Sequence, residues 1–92
     1  MRKFLKHKSG FVLKNIAGDY IVVPTGKNIV DFKKMLTTNE TGAWIWQQLD
    51  EGTEYGELVS KFAETFEIDV ECADNDVDEF VFKLASQNLL EN

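Results

Sequence analysis

The chain has 92 residues, a net charge of -6, 43 % apolar and 28 % charged residues. That length makes one domain, here 1–92, and excludes a two-lobed enzyme, while seven Phe, two Trp and two Tyr supply enough apolar volume for a packed core and exclude disorder along the whole length. One cysteine, Cys72, closes no internal disulfide, no apolar signal-peptide core precedes Gly10, and apolar runs such as residues 21–23 fall far short of the ~20 residues that cross a bilayer. The expectation is a cytoplasmic protein without a membrane span.

The total charge conceals a polarity. Residues 1–38 carry eight Lys or Arg against Asp19 and Asp31, a net +6, whereas residues 39–92 carry Lys61 and Lys83 against fourteen acids, a net -12. Such asymmetry bears on partners and on encounter rates rather than on fold. Residues 1–9 hold Arg2, Lys3, Lys6 and Lys8 around only Phe4 and Leu5 and read as a basic tail, expected to be mobile.

Two β-rich runs follow, at residues 11–16 and 19–23, separated by Ala17 and Gly18, which is the spacing of a tight hairpin. Pro24 ends the second run or places it at an edge, and residues 25–28 supply turn chemistry. Residues 29–38 have an imperfect period of two, with enough Thr and β-branched residues to favour a strand over about Lys34 to Thr38.

The period then changes. Asn39 is a good N-cap, Glu40 stands where a helix dipole favours an acid, and Ile45, Trp46 and Leu49 share a face, giving a first helix closed by Gly52. Thr53 is expected to cap a second helix, in which Tyr55, Leu58, Val59, Phe62, Ala63 and Phe66 form the apolar stripe. Asp69 caps a third, with Val70, Ala73, Val77, Phe80, Val81 and Leu84 inward and an end near Asn88. Three antiparallel strands followed by three helices make an α+β domain of winged helix-turn-helix type.

Residues that could carry chemistry are few. His7 is the only histidine, and its own basic segment offers no catalytic or metal-binding partner. Cys72 lies in the first turn of the third helix among Asp69, Glu71, Asp74 and Asp76, whose charges oppose a thiolate. Asp74, Asp76 and Asp78 alternate as in the opening of a calcium loop, but Glu79 and Ala85 occupy the places that need glycine and a bidentate glutamate. With no phosphate loop, nucleophile triad or zinc spacing, the chain reads as a non-enzyme without metal or cofactor. A winged helix raises DNA binding as the alternative, against which the third helix exposes Asp74, Asp76, Asp78 and Glu79 to phosphates. Trp44 and Phe82 project off the apolar stripes of their helices, either as partner anchors or as groups covered by loops or the N-terminal arm.

The run LTTNETGAWIWQQL at residues 36–49, then GTEYGELVSKFAETFEID and a third helix ending in NLLE, resembles the family of the pyrroloquinoline-quinone biosynthesis protein D over nearly the whole chain. Thr38, before the asparagine, and Asn88, before the terminal Leu pair, depart from the residues usual there. The resemblance implies a non-catalytic domain that recognises the leader of a ribosomally made precursor peptide. It also implies a partner that modifies the peptide, often a radical S-adenosylmethionine enzyme.

Physically, such a role needs an open strand edge for main-chain pairing and an apolar groove for side-chain selection. Five or six main-chain bonds at a net ~1 kcal/mol each fall short of the roughly 8 kcal/mol of a micromolar complex. Groove burial must supply the remainder. The expected contacts are Lys33, Lys34, Met35, Leu36 and Thr37 on the third strand, and Asp74, Asp78, Val81, Phe82 and Ala85 on the third helix. Lys33 and Lys34 would either deter pairing between copies or meet acidic leader residues, and a homodimer joined through the strand edge is a further alternative.

Overall fold

A computed structural model of the chain describes residues 3–26 and 36–91. Its elements in order are β1 (Phe4–Leu5), β2 (Phe11–Ile16), β3 (Asp19–Pro24), β4 (Leu36–Thr38), α1 (Glu40–Gln48), β5 (Thr53–Glu54), α2 (Tyr55–Thr65) and α3 (Val70–Ser86). The three-stranded antiparallel sheet has the order β2-β3-β4, and three helices follow it, as expected of an α+β winged helix.

The hairpin forms where its turn chemistry lies. Ala17 and Gly18 both adopt positive φ, 54° and 89°, which a two-residue turn of the primed type requires. Register then runs from Ile16 opposite Asp19 to Phe11 opposite Pro24. β4 continues the sheet with Tyr20 opposite Thr38 and Val22 opposite Leu36. Alternation along these strands turns Val22 and Leu36 into the core and leaves Val12, Lys14, Ile16 and Thr37 exposed.

α1 and α3 begin at side-chain caps. Asn39 Oδ1 accepts from the Gly42 N–H at 2.9 Å and from the Thr41 hydroxyl, capping α1. Asp69 Oδ1 accepts from the Glu71 N–H and caps α3. Two helix ends close through left-handed residues: Glu67 lets the Ile68 N–H reach the Ala63 carbonyl, and Asn88 lets the Leu89 N–H reach that of Leu84. The core they enclose joins Ile45, Trp46 and Leu49 of α1 to Leu58 and Phe62 of α2 and to Val77, Phe80 and Leu84 of α3.

The structure corrects the sequence reading at the N-terminus. Residues 3–9, expected to be a mobile tail, are tied across the helical layer: Phe4–Leu5 pairs with Thr53–Glu54, and His7 bridges Leu90. Leu5 is fully buried, and its burial anchors the segment. For the same reason Thr53 does not cap α2. It is a strand residue, the N-cap position falls to Glu54, and no side chain caps that helix end.

His7 is buried, its ring stacked on Trp46 with centroids 3.8 Å apart and planes 3° from parallel. Its Nδ1–H donates to the Lys8 carbonyl at 2.9 Å, and Nε2 lies 3.3 Å from Asp50 Oδ1, within ion-pair range but not aligned as a hydrogen bond.

Candidate functional site

β4 lies at the edge of its sheet. Its pairing with β3 occupies one side of Leu36–Thr38, and among the described residues no strand occupies the other. In an antiparallel ladder successive residues direct their N–H and C=O groups to alternate sides, so at least one of these three residues offers both groups outward. Leu36 is buried and contributes only its main chain to that edge, whereas Thr37 is exposed.

At the end of this edge the chain turns into α1, and the turn forms one end of a cleft of about 260 Å³. Thr38, Asn39, Thr41, Gly42 and Ile45 line one side, and Asp76, Glu79, Phe80 and Lys83 of α3 the other. Thr38 belongs to both the edge and the cleft. The close approach of the two sides depends on Gly42, where any Cβ would collide with the Thr38 hydroxyl and come within 2.9 Å of Phe80 Cε1. Ile45 and Phe80, both buried, make the apolar floor, and the exposed carboxylates of Asp76 and Glu79 stand at the rim.

The four α3 residues of the cleft recur at i, i+3, i+4 and i+7, which places them on one flank of the helix. Asp74, Asp78, Val81, Phe82 and Ala85, selected from the sequence, follow a second such series and gather on nearly the opposite flank. There the Tyr55 hydroxyl donates to Asp74 Oδ1 at 2.7 Å, tying the start of α2 to α3. Burial, that hydrogen bond and the negative charges of Asp74 and Asp78 together push the Tyr55 phenol well above its usual range. Val81 packs against the core, Ala85 is exposed, and Phe82 is 73 % exposed. Lys33, Lys34 and Met35 lie outside the described residues.

The flank of Asp76, Glu79, Phe80 and Lys83, which lines the cleft, is not among the residues selected from the sequence. Its signal is their shared face, but a sequence does not say which flank of a helix turns toward a strand forty residues earlier. Trp44, the other off-stripe aromatic, is half-buried edge-on against Phe62 of α2 and Phe66 at its C-cap, each 5.7 Å away.

Among the described residues no group of three or more His, Cys, Asp or Glu is arranged to hold a metal ion, and no helix is long and apolar enough to cross a membrane. The described residues of the site offer pairing and packing: a short edge, an apolar floor and a charged rim on α3. The exposed surface of α3 carries Glu71, Asp74, Asp76, Asp78 and Glu79 against Lys83, a charge pattern that repels a nucleic-acid backbone.

Residues 11–90 match the family described as Coenzyme PQQ synthesis protein D. No curated protein sequence matches the chain. Among solved structures, one described as "TbiB1 in Complex with the TbiA(beta) Leader Peptide" is similar with a TM-score of 0.73 and 22 % sequence identity, covering 95 % of each chain.

Proposed function

From the premise that this chain belongs to the Coenzyme PQQ synthesis protein D family, we propose that it is a non-catalytic, cytoplasmic module that binds the leader of a ribosomally made precursor peptide. The leader adds as a strand to the open edge of β4, its side chains enter the cleft between α1 and α3, and the domain presents it to a separate modifying enzyme of the radical S-adenosylmethionine type. One observation carries this reading: an edge at Leu36–Thr38 that no described residue pairs ends, through Thr38, in a cleft with an apolar floor. The similar structure, which holds a leader peptide on the same fold, supports it.

The energetics decide where affinity comes from. Three edge residues offer about two to four outward main-chain bonds, worth roughly 1 kcal/mol each, against the roughly 8 kcal/mol of a micromolar complex. Side-chain burial has to contribute about 5 kcal/mol, which corresponds to roughly 200 Å² of apolar surface at 25 cal/mol/Å². The floor of Ile45 and Phe80 is where that burial takes place. The expected contacts are thus the main chain of Leu36 and Thr37, the side chain of Thr38, and Asp76, Glu79, Phe80 and Lys83. Asp74, Asp78, Val81, Phe82 and Ala85 remain for the partner enzyme.

Amide NMR shifts recorded while precursor leaders are titrated test this reading. Shifts should concentrate at Leu36–Thr38 and on the flank of Asp76, Glu79, Phe80 and Lys83. Shifts confined to β2, with a rise in mass by light scattering, would instead indicate pairing between copies.

A further inference from the structure

Among the described residues, the cleft beside Thr38 is charged on its α3 side only. Asp76 and Glu79 stand at the α3 rim, both exposed, and neither forms an ion pair or side-chain hydrogen bond among the described residues. Lys83, one turn beyond Glu79, is the sole cation among the described lining residues, which between them carry one more negative than positive charge. The described residues of the facing rim, Thr38, Asn39 and Thr41, include no cation, and Asn39 Oδ1 is already engaged by the Gly42 N–H and the Thr41 hydroxyl.

A side chain from a strand laid on β4 can rest an apolar stem on the buried floor of Ile45 and Phe80 only if its tip is apolar or turns back to the exposed carboxylates at the rim. Lys and Arg have the matching profile, an apolar stem under a cationic head. A purely apolar side chain would fill the floor but draw water away from two carboxylates, and an acidic one would meet like charge. Asp74 and Asp78 do not serve in this way, because they occupy the other flank and Asp74 is held by Tyr55.

We propose that the cleft selects leader peptides carrying Lys or Arg at the position that lies over Phe80, with Asp76 and Glu79 receiving the cationic head. The inference rests on the strand-addition reading above. Because the carboxylates are exposed, the preference over a neutral residue of equal size is about 3- to 10-fold and shrinks as salt screens it.

Panning a displayed library of random dodecapeptides against the whole chain tests the proposal. The same panning is run on the Asp76→Asn/Glu79→Gln variant and on Asp74→Asn/Asp78→Asn, with circular dichroism to confirm that each variant folds. Peptides enriched on the unaltered chain and on the Asp74/Asp78 variant should share one Lys or Arg in fixed spacing to apolar residues. Those enriched on the Asp76/Glu79 variant should lose that preference while still shifting the amides of Leu36–Thr38. Enriched peptides that shift those amides without a fixed cation would overturn the charge selection alone. No enrichment, or binding that leaves Leu36–Thr38 unmoved, would overturn the strand-addition reading and this inference with it.

Discussion

Phe80 on α3 and Gly42 on α1 approach so closely that no methyl group fits between them: a Cβ on Gly42 would come within 2.9 Å of Phe80 Cε1, and closer still to the Thr38 hydroxyl. This contact sets the spacing of the cleft and the position of the last residue of β4. Gly42→Ala should therefore lower stability by about 1–3 kcal/mol through overpacking, outweighing the ~1 kcal/mol that alanine adds as a helix former. Urea denaturation measures the loss, and peptide affinity should fall with it because Thr38 is displaced.

The stacked rings of His7 and Trp46 hold the N-terminal segment on the helices. His7→Ala removes the stack and leaves a cavity in a buried place, for an expected loss of about 1–3 kcal/mol. His7→Phe keeps a ring there but abandons the Lys8 carbonyl, so its loss should be smaller, about 1 kcal/mol. Equal losses in the two variants on chemical denaturation would show that the ring contributes nothing by stacking.

Tyr55 gives the chain an alkaline weakness. Its phenol is raised above the unfolded value of 10.0 by burial, by its bond to Asp74 and by the charges of Asp74 and Asp78. The unfolded chain then releases this proton at lower pH than the folded one, so stability is fully present below pH ~10 and declines above it. Tyr55→Phe should be slightly less stable at neutral pH and show a shallower decline above pH 10, which thermal melts across that range will record.

Phe82 separates the two flanks of α3. Because it is 73 % exposed, Phe82→Ser should change stability by no more than about 0.5 kcal/mol, whereas Leu84→Ala, in the core, should cost about 2–5 kcal/mol. Peptide affinity should be untouched in Phe82→Ser, as titration calorimetry would show. A marked loss of affinity would place the peptide on the flank of Asp74, Asp78 and Ala85 instead.

What the sequence made legible follows the range of the interactions involved. The hairpin rests on Ala17 and Gly18, α2 on its apolar stripe, and the starts of α1 and α3 on Asn39 and Asp69, all signals contained within a few residues. The strands Phe4–Leu5 and Thr53–Glu54 are two residues each and exist only because distant segments meet, so no local pattern announces them. His7 is buried by the same long-range closure. The edge of β4 was legible as an extended stretch before an N-cap, but the flank of α3 beside it depends on how the helix rotates about its buried face. Phe82 drew attention to one flank, and the cleft lies on the other.

Hydrogen exchange at the amides of Leu36–Thr38, followed with and without a saturating selected peptide, tests strand addition most directly. The outward-facing amides of these residues should slow by about tenfold or more on binding, as expected when an open edge acquires a main-chain partner. Unchanged exchange at all three residues while the peptide is bound would show that it docks elsewhere and that the open edge of β4 takes no part.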